Sequence, residues 1–566
     1  MTRKKSSYPF IVVIVLVLIL SACKGKKQVP VSDIAESPEQ LEKKSRDNLR
    51  DFLAFAAENN GNIGDSIFLF NLPLIQQIYE KKEFDAVWSS KEQWKPLGDS
   101  MLHFLANARL YGLFPEDYHF PSLDSINKRF LDDTSRKKDR RDAALWSKAD
   151  LMITDAFFRI IKDVELGRLP KDSITLRKDS VLGDDFYLKQ WETLEQSGML
   201  TSLMQSLEPK HKGYLELKAG IQNFLDSTYS RSFTLVPPMG KDSASKEVFK
   251  KALQTRLYEG GFIDTDSTVL DSATLAGGIK RFQKKQGITA DGKAGEGTLR
   301  LLNLSNREKF IRIAISLDRY KQLPDSMPSR YLWVNLPSYY MQLLENDTVK
   351  IISKIICGKT KTRTPVLTSA ISEMITYPQW TIPNSIIVKE ILPGAKKDPG
   401  YFKAKGFSLI DKDGNEVDPY TITWERYSKG IPFKVVQGSG DDNALGILKF
   451  NFNNKYAVYL HDTNQRYLFG QAVRSLSHGC VRVQEWEKLA YNILENDYPD
   501  EKKLQAKEDS LSAWLVRKEK HSIGVRNRLP VYIRYISCEG INGNVVFYDD
   551  IYGEDKQLQE RYFAGK

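Results

Sequence analysis

Cysteine is scarce in this chain, four in 566 residues, and there are only six histidines. So few cysteines over such a length build no disulfide framework. A zinc site needs several ligands at spacings such as C-x₂-C or H-x₃-H. Around the cluster of His461, His478 and Cys480 only Asp462 offers itself as a further ligand, so no metal and no cofactor are expected. No RNA- or DNA-binding signature accompanies the formal charge of +11, and the basic residues are scattered among acidic ones. The expectation is therefore no nucleic-acid partner, with the charge suiting anionic surroundings. A run long enough to cross a bilayer comfortably is also missing at the N-terminus, where the apolar stretch Phe10 to Leu20 falls short of the roughly 20 residues a spanning helix needs.

What is present at that end has a different meaning. Arg3, Lys4 and Lys5 precede the apolar run, and Leu20-Ser21-Ala22-Cys23 follows it. A basic end, a short apolar segment and small residues at a cut site describe an export signal. The tetrapeptide resembles the bacterial lipobox, which implies a signal peptide over 1–22 and a lipid on Cys23. The alternative is an uncleaved anchor with an incidental cysteine, and either way the remainder lies outside the cytoplasm. Lys24 after Cys23 is not an aspartate retention signal, which favours the outer membrane over the inner one.

The length is too great for one ordinary core, so two to four domains are expected. Residues 23–45, with lysines followed by Pro, Ser and Glu, read as a solvated tether. Over 46–230 apolar residues recur at three- and four-residue spacing, as in Leu102, Leu105, Ala106 and Leu110, so this region reads as a helical scaffold. His103, His119 and His211 stand isolated in it and read as surface or satisfied side chains. From 245 to 305 three short helices are expected, with stripes at Val248, Ala252, Leu253 and Leu257, at Leu275, Ile279 and Phe282, and at Leu299 and Leu302. Ile279-Lys280-Arg281-Phe282-Gln283, Gly287 to Gly292, Gly295 and Thr298-Leu299 resemble the small three-helix peptidoglycan-binding module. A connecting helix follows in 306–328. Beyond 329 the chain turns to β-branched and aromatic runs, Tyr331 to Leu336, Lys350 to Ile356, Ala457 to Leu460 and Leu529 to Tyr535, which read as strands. A glycine-, proline- and lysine-rich insertion at 391–440 is too long for a structureless loop and reads as a cap.

The chemistry concentrates in Val458-Tyr459-Leu460-His461-Asp462-Thr463 and Arg474-Ser475-Leu476-Ser477-His478-Gly479-Cys480-Val481-Arg482. A thiol attacks a carbonyl as thiolate, so a nucleophilic cysteine needs a cation or base beside it. If 478–482 is extended, His478, Cys480 and Arg482 share one face while Val481 and Val483 face the core. Gly479 removes a side chain where a substrate backbone must approach or the chain must turn. Cys357 and Cys538 read as buried small hydrophobes, a bridge between them being left open.

His461 followed by Ser477-His478-Gly479-Cys480-Val481-Arg482 resembles the active-site signature of L,D-transpeptidases with a YkuD-type catalytic domain. Gly358-Lys359, Thr364-Pro365, Tyr377 to Pro383 and Asn443-Ala444-Leu445-Gly446 resemble stations of the longer Gram-negative branch. The resemblance implies a multidomain α+β chain: helical scaffold, peptidoglycan-binding module, and a mostly-β catalytic sandwich over 329–566 with its capping insertion. It further implies Cys480 as nucleophile and His461 as general base in forming 3-3 cross-links between peptidoglycan stem peptides, in a periplasmic, lipid-anchored protein. Tyr459, Ser477, His478 and Gly479 would support the site or its oxyanion, and Arg482 would meet a substrate carboxylate or brace the loop. Trp424, in the cap, would close over bound peptide. Two rival readings remain: a carboxypeptidase or other hydrolase, in which water accepts the acyl group, and a non-catalytic lipoprotein that tethers membrane to wall. Sortases share the order His, Cys, Arg, but their His–Cys gap is longer and they have no Ser-His-Gly-Cys block.

Overall fold

The computed structural model describes residues 29, 31–131, 136–177, 181–267 and 270–564. Cys23 and the whole export segment lie outside the described residues. The chain divides into two compact units, the first drawn from residues up to 109, 113–165 and 181–208, the second from 110–112, 166–180 and 209 onward.

The first unit is helical, built around Ala143–Glu165. That helix is apolar on nearly every side, as a central core helix must be. Its buried Asp150 accepts hydrogen bonds from the Tyr79 hydroxyl, the Val87 and Trp88 amides and the Ser89 hydroxyl, so the carboxylate lacks no partner. Asp155 likewise takes the Phe70 and Asn71 amides and pairs with His119 at 2.8 Å. One boundary moves. The helix Pro38–Glu58 begins inside the expected tether, because Ser37 caps it, Pro38 opens its first turn, and Leu41, Leu49, Phe52 and Leu53 need a core.

In the second unit the last helix of the expected scaffold, Lys212–Phe224, packs on the hairpin Cys538–Ile541/Asn544–Phe547, so closely that a Cβ on Gly540 would stand 2.0 Å from the Glu216 carbonyl oxygen. The three-helix module follows as Ser243–Glu259, Ser272–Lys285 and Glu296–Leu302. Its first stripe is Phe249, Leu253 and Leu257; Val248 is exposed and Ala252 half-buried, so the register is one residue later than the sequence suggested. The buried Gln283 explains the spacing of the motif. Its amide donates to Asp291 and Thr298 and accepts from the Gly292 amide, tying the Asp-Gly turn to the third helix. The connecting helix Asn306–Lys321 starts at a capping box of Ser305 and Glu308.

The catalytic region is a curled sheet: β1 (Arg330–Asn335), β2 (Tyr340–Glu345), β3 (Thr348–Gly358), β4 (Leu367–Thr376), β5 (Leu448–Phe452), β6 (Leu460–His461), β7 (Ser475–Ser477), β8 (Val481–Val483) and β9 (Ser522–Arg534). Their order is β7-β3-β8-β6-β5-β4-β9-β1-β2, and β2 also pairs with β3, so the sheet returns upon itself around one apolar core. The two faces of the expected sandwich are this one sheet. Cys357 and Cys538 are both buried and unbridged.

The insertion is a folded subdomain. A four-stranded sheet, Trp380–Thr381, Phe407–Ile410, Glu416–Val417 and Lys434–Gln437, packs with short helices around Ile387, Leu392, Phe402, Leu409, Trp424 and Val435. It therefore starts at Trp380, earlier than 391, because Trp380 and Thr381 pair with Gln437 and Val436.

Candidate active site

Sheet register assembles the site. β6 and β8 run parallel with Leu460 beside Val481 and His461 beside Arg482, while the Val481 amide donates to the Tyr459 carbonyl at 3.1 Å. Alternation along a strand then puts Tyr459, His461, Cys480 and Arg482 on one face and Leu460, Val481 and Val483 in the core. The three core residues are fully buried. β5 adds Lys449 opposite His461, between the buried Leu448 and Phe450.

Ser477 to Val483 is not one extended strand. Gly479 adopts φ +126°, a conformation that side-chain-bearing residues rarely accept, and it breaks β7 from β8. Cys480 and Arg482 remain on the site, whereas His478 turns toward the cap and pairs with Glu390, Nε2 to Oε1 2.5 Å. The Gly479 amide is not free for an oxyanion either, since it donates to Ser477 Oγ at 3.1 Å. Ser477 Oγ in turn donates to the Cys480 carbonyl at 2.6 Å, so this serine folds the turn. Thr364 braces the same turn, its hydroxyl donating to the Gly479 carbonyl and accepting from the Gly358 amide. Among the described residues no backbone acceptor meets the Cys480 amide.

His461 is buried, and its Nδ1 donates to the Asp462 carbonyl at 2.5 Å, which leaves Nε2 as the basic nitrogen. Burial, reinforced by the nearby Arg482 and Lys449 cations, pushes its pKa down to about 3, against the pull of the Asp462 and Leu445 carbonyls. Burial also raises the Cys480 thiol, opposed by hydrogen bonds from Tyr459 and by Lys449 and Arg482. At neutral pH the resting pair is thus thiol and neutral imidazole rather than an ion pair. Lys449 holds its ammonium 3.9 Å from the centre of the Tyr459 ring. The Cys480 thiol donates to the Ala457 carbonyl at 3.9 Å, and burial, together with the nearby Cys480, holds the Tyr459 hydroxyl protonated. Asp462 is fixed by Arg466 and the Ile447 amide, against Gly446, where a Cβ would lie 2.4 Å from its carboxylate oxygen.

Tyr459, His461, Cys480 and Arg482 open onto a cleft of about 980 Å³ whose far wall is the cap, through Trp380, Ile386, Glu390 and Tyr401. Trp424 is not on that wall. It is buried in the cap core, stacked on Phe402 with its indole N–H donating to the Pro419 carbonyl. Lys449 and Glu390 did not emerge from the sequence, and Trp380 did so only within the run Tyr377 to Pro383, without a role in the site. The only signal for Lys449 was a lysine between core residues of a strand, which is usually a solvated position. Among the described residues no group of three or more His, Cys, Asp or Glu side chains is arranged to hold a metal ion, and no helix is long and apolar enough to cross a membrane.

Three family profiles match the chain: a scaffold domain over residues 73–220, a peptidoglycan-binding domain over 250–302 and an L,D-transpeptidase catalytic domain (YkuD) over 329–504. A Haemophilus influenzae protein named "Putative L,D-transpeptidase" is 36% identical over 247 residues, which is 44% of this chain and 48% of that protein. The chain therefore matches about half the length of that relative. Two solved structures also align over 46% of this chain and 90% of theirs: an L,D-transpeptidase from Stackebrandtia nassauensis at 16% identity and TM-score 0.18, and an Ldtfm–avibactam carbamoyl enzyme at 11% and 0.14. Scores so low leave the family profiles and the site geometry to carry the assignment. On those grounds the chain joins a scaffold domain and a peptidoglycan-binding domain to a catalytic domain of the L,D-transpeptidase (YkuD) family.

Proposed function

We propose that this protein is a cysteine L,D-transpeptidase that forms 3-3 cross-links in peptidoglycan, with Cys480 as nucleophile and His461 as base. The observation that carries it is the parallel register of β6 on β8, which sets His461 and Cys480 on one face at the floor of a capped, peptide-sized cleft. In the first half-reaction the Cys480 proton passes to His461 as sulfur attacks the carbonyl carbon of the third stem residue. The C–N bond to the terminal D-alanine breaks, the leaving amine takes the proton from His461, and a thioester remains. In the second, an acceptor amine loses its proton to His461, attacks the thioester, and expels the sulfur, which regains that proton.

Because the resting thiol and imidazole are both neutral, charge separation arises during attack. Lys449 and Arg482 then favour the negative sulfur and the oxyanion, and the Cys480 amide meets the latter. The cap shields the thioester from water and so favours amine transfer over hydrolysis. The peptidoglycan-binding domain would hold the chain on its polymeric substrate. Incubation with purified tetrapeptide muropeptides, followed by mass spectrometry, tests the reading. Dimers linked between third residues, with loss of D-alanine, are expected from the wild type and not from Cys480→Ala. Dimers at wild-type level from the alanine variant would remove Cys480 from the mechanism. Monomeric tripeptide as the sole product would make the enzyme a carboxypeptidase.

A further inference from the structure

A second cavity, of about 160 Å³, lies away from the catalytic cleft, where the peptidoglycan-binding domain meets the connecting helix and the hairpin Cys538–Phe547. Arg256, from the first module helix, and Lys309, from the connecting helix, both line it, and both are buried, 3% and 7% exposed. Arg256 spends Nε on the Leu302 carbonyl, while its buried Nη1 has no hydrogen-bond partner. Lys309 makes no hydrogen bond or ion pair with any described residue; its ammonium and the Arg256 guanidinium share one face-on neighbour, the Phe233 ring, at 5.4 and 4.1 Å. Lys285 and Arg231 add two further cations to the wall. The carboxylate among the lining groups, Glu259, accepts from the Thr234 amide and hydroxyl at 2.7 and 2.5 Å and offsets part of the Arg256 charge without an ion-pair contact.

Buried charges are normally paired, since an unpaired one loses its hydration without compensation. Here several cations share the one carboxylate of the wall, Glu259. Burial, then repulsion from Arg256 and Lys285, lowers the Lys309 ammonium to about 8. The fold keeps this arrangement around a hollow, and an anion in the hollow would resolve it. Part of the remaining wall is apolar, with Phe224, Phe262, Phe282, Leu301 and Phe547, and part is polar, with Asn223, Ser227, Thr228, Gln286 and Asn544. A planar arginine fork beside a point-charge lysine fits one carboxylate, and the rings fit a small apolar group next to it. A fully hydrated phosphate dianion would gain nothing from those rings.

We propose that this cavity is a binding site for a carboxylate borne on a small apolar group, as at the C-terminus of a short peptide.

Nothing at this seam involves Cys480, so a Cys480→Ala protein should respond as the wild type does, whatever the fate of the catalytic reading. The test is thermal melting and calorimetric titration of the full chain with N-acetylalanine, N-acetylalaninamide and inorganic phosphate. Saturable binding of N-acetylalanine that raises the melting temperature is expected, with no response to the neutral amide and a weaker one to phosphate. Lys309→Met, which keeps the aliphatic stem and removes one unpaired charge, should melt at or above the wild type without ligand and lose at least tenfold in affinity. An equal response to the amide, stronger binding of phosphate, or no response to N-acetylalanine overturns the proposal. So does full affinity in Lys309→Met, or a ligand-free melting temperature well below wild type, which would make the lysine structural.

Discussion

Glu390 of the cap and His478 of the active-site turn are hydrogen-bonded across the cleft, Oε1 to Nε2. Two residues beyond His478 is Cys480, so the pair ties the cap to the turn that carries the thiol. His478 therefore serves the cap contact more directly than it serves the sulfur. Glu390→Gln should keep the fold and loosen this latch. Both partners are partly exposed, so the pair is worth no more than about 1 kcal/mol. Acylation should slow by only about two- to fivefold, with a higher ratio of hydrolysed to transferred product. Unchanged partitioning in single-turnover product analysis would show that the cap closes without it.

Lys449 supplies a cation to the thiol's surroundings without lining the cleft. Lys449→Met should raise the pH at which Cys480 is alkylated by iodoacetamide and slow acylation at neutral pH by about tenfold, the scale of one pKa unit. A rate loss with an unmoved alkylation profile would assign the lysine to packing on Tyr459 instead.

His461→Gln should lower the acylation rate by about 10²–10⁴-fold, the usual contribution of a positioned base. Because His461 is neutral down to about pH 3, acylation in the wild type should show no inflection near pH 6.5. Stopped-flow measurement of carbapenem acylation from pH 5 to 8 checks both points.

Stability should fall on acidification. His461 and His211 are lowered by burial to about 3 and about 4 from an ordinary value of 6.5. Between those values the unfolded chain binds more protons than the folded one. Their contribution is fully present above pH 6.5 and is lost as the pH falls toward 4 and then 3. Urea midpoints at pH 7, 5.5 and 4.5 should decline, and His211→Asn, which keeps a cap acceptor for the Gly213 amide, should flatten the decline.

Trp424→Ala should act on the cap as a folded unit. Removing a buried tryptophan costs about 3–5 kcal/mol, so the cap should become protease-sensitive while β1–β9 stay protected. A loss of substrate affinity with undiminished protection would return Trp424 to the substrate.

Cys23→Ser should release a soluble or unprocessed protein; unchanged membrane fractionation would indicate a retained apolar anchor.

The sequence by itself determined the order of parts and the reactive types. Helical spacing marked the scaffold and module, β-branched runs marked strands, and the Ser-His-Gly-Cys block with His461 marked the chemistry, because these signals are local. The turn at Gly479 was legible as a glycine with a purpose, but not its consequence, that His478 pairs with the cap and the Gly479 amide is consumed. Those outcomes depend on what stands opposite: Glu390, 88 residues away, and the Ser477 hydroxyl. Trp424 was misplaced for a similar reason. An aromatic in a glycine-rich stretch looks like a lid, and only the packing of Phe402, Leu409 and Val435 around it makes it a core. Lys449 and His461 meet because β5 and β6 pair in one register, and the seam cations meet because separate helices converge on Phe233. Such contacts are long-range, and no periodicity along the chain encodes them. Tertiary structure decided them, since burial and charge at a point are set by every segment that reaches it.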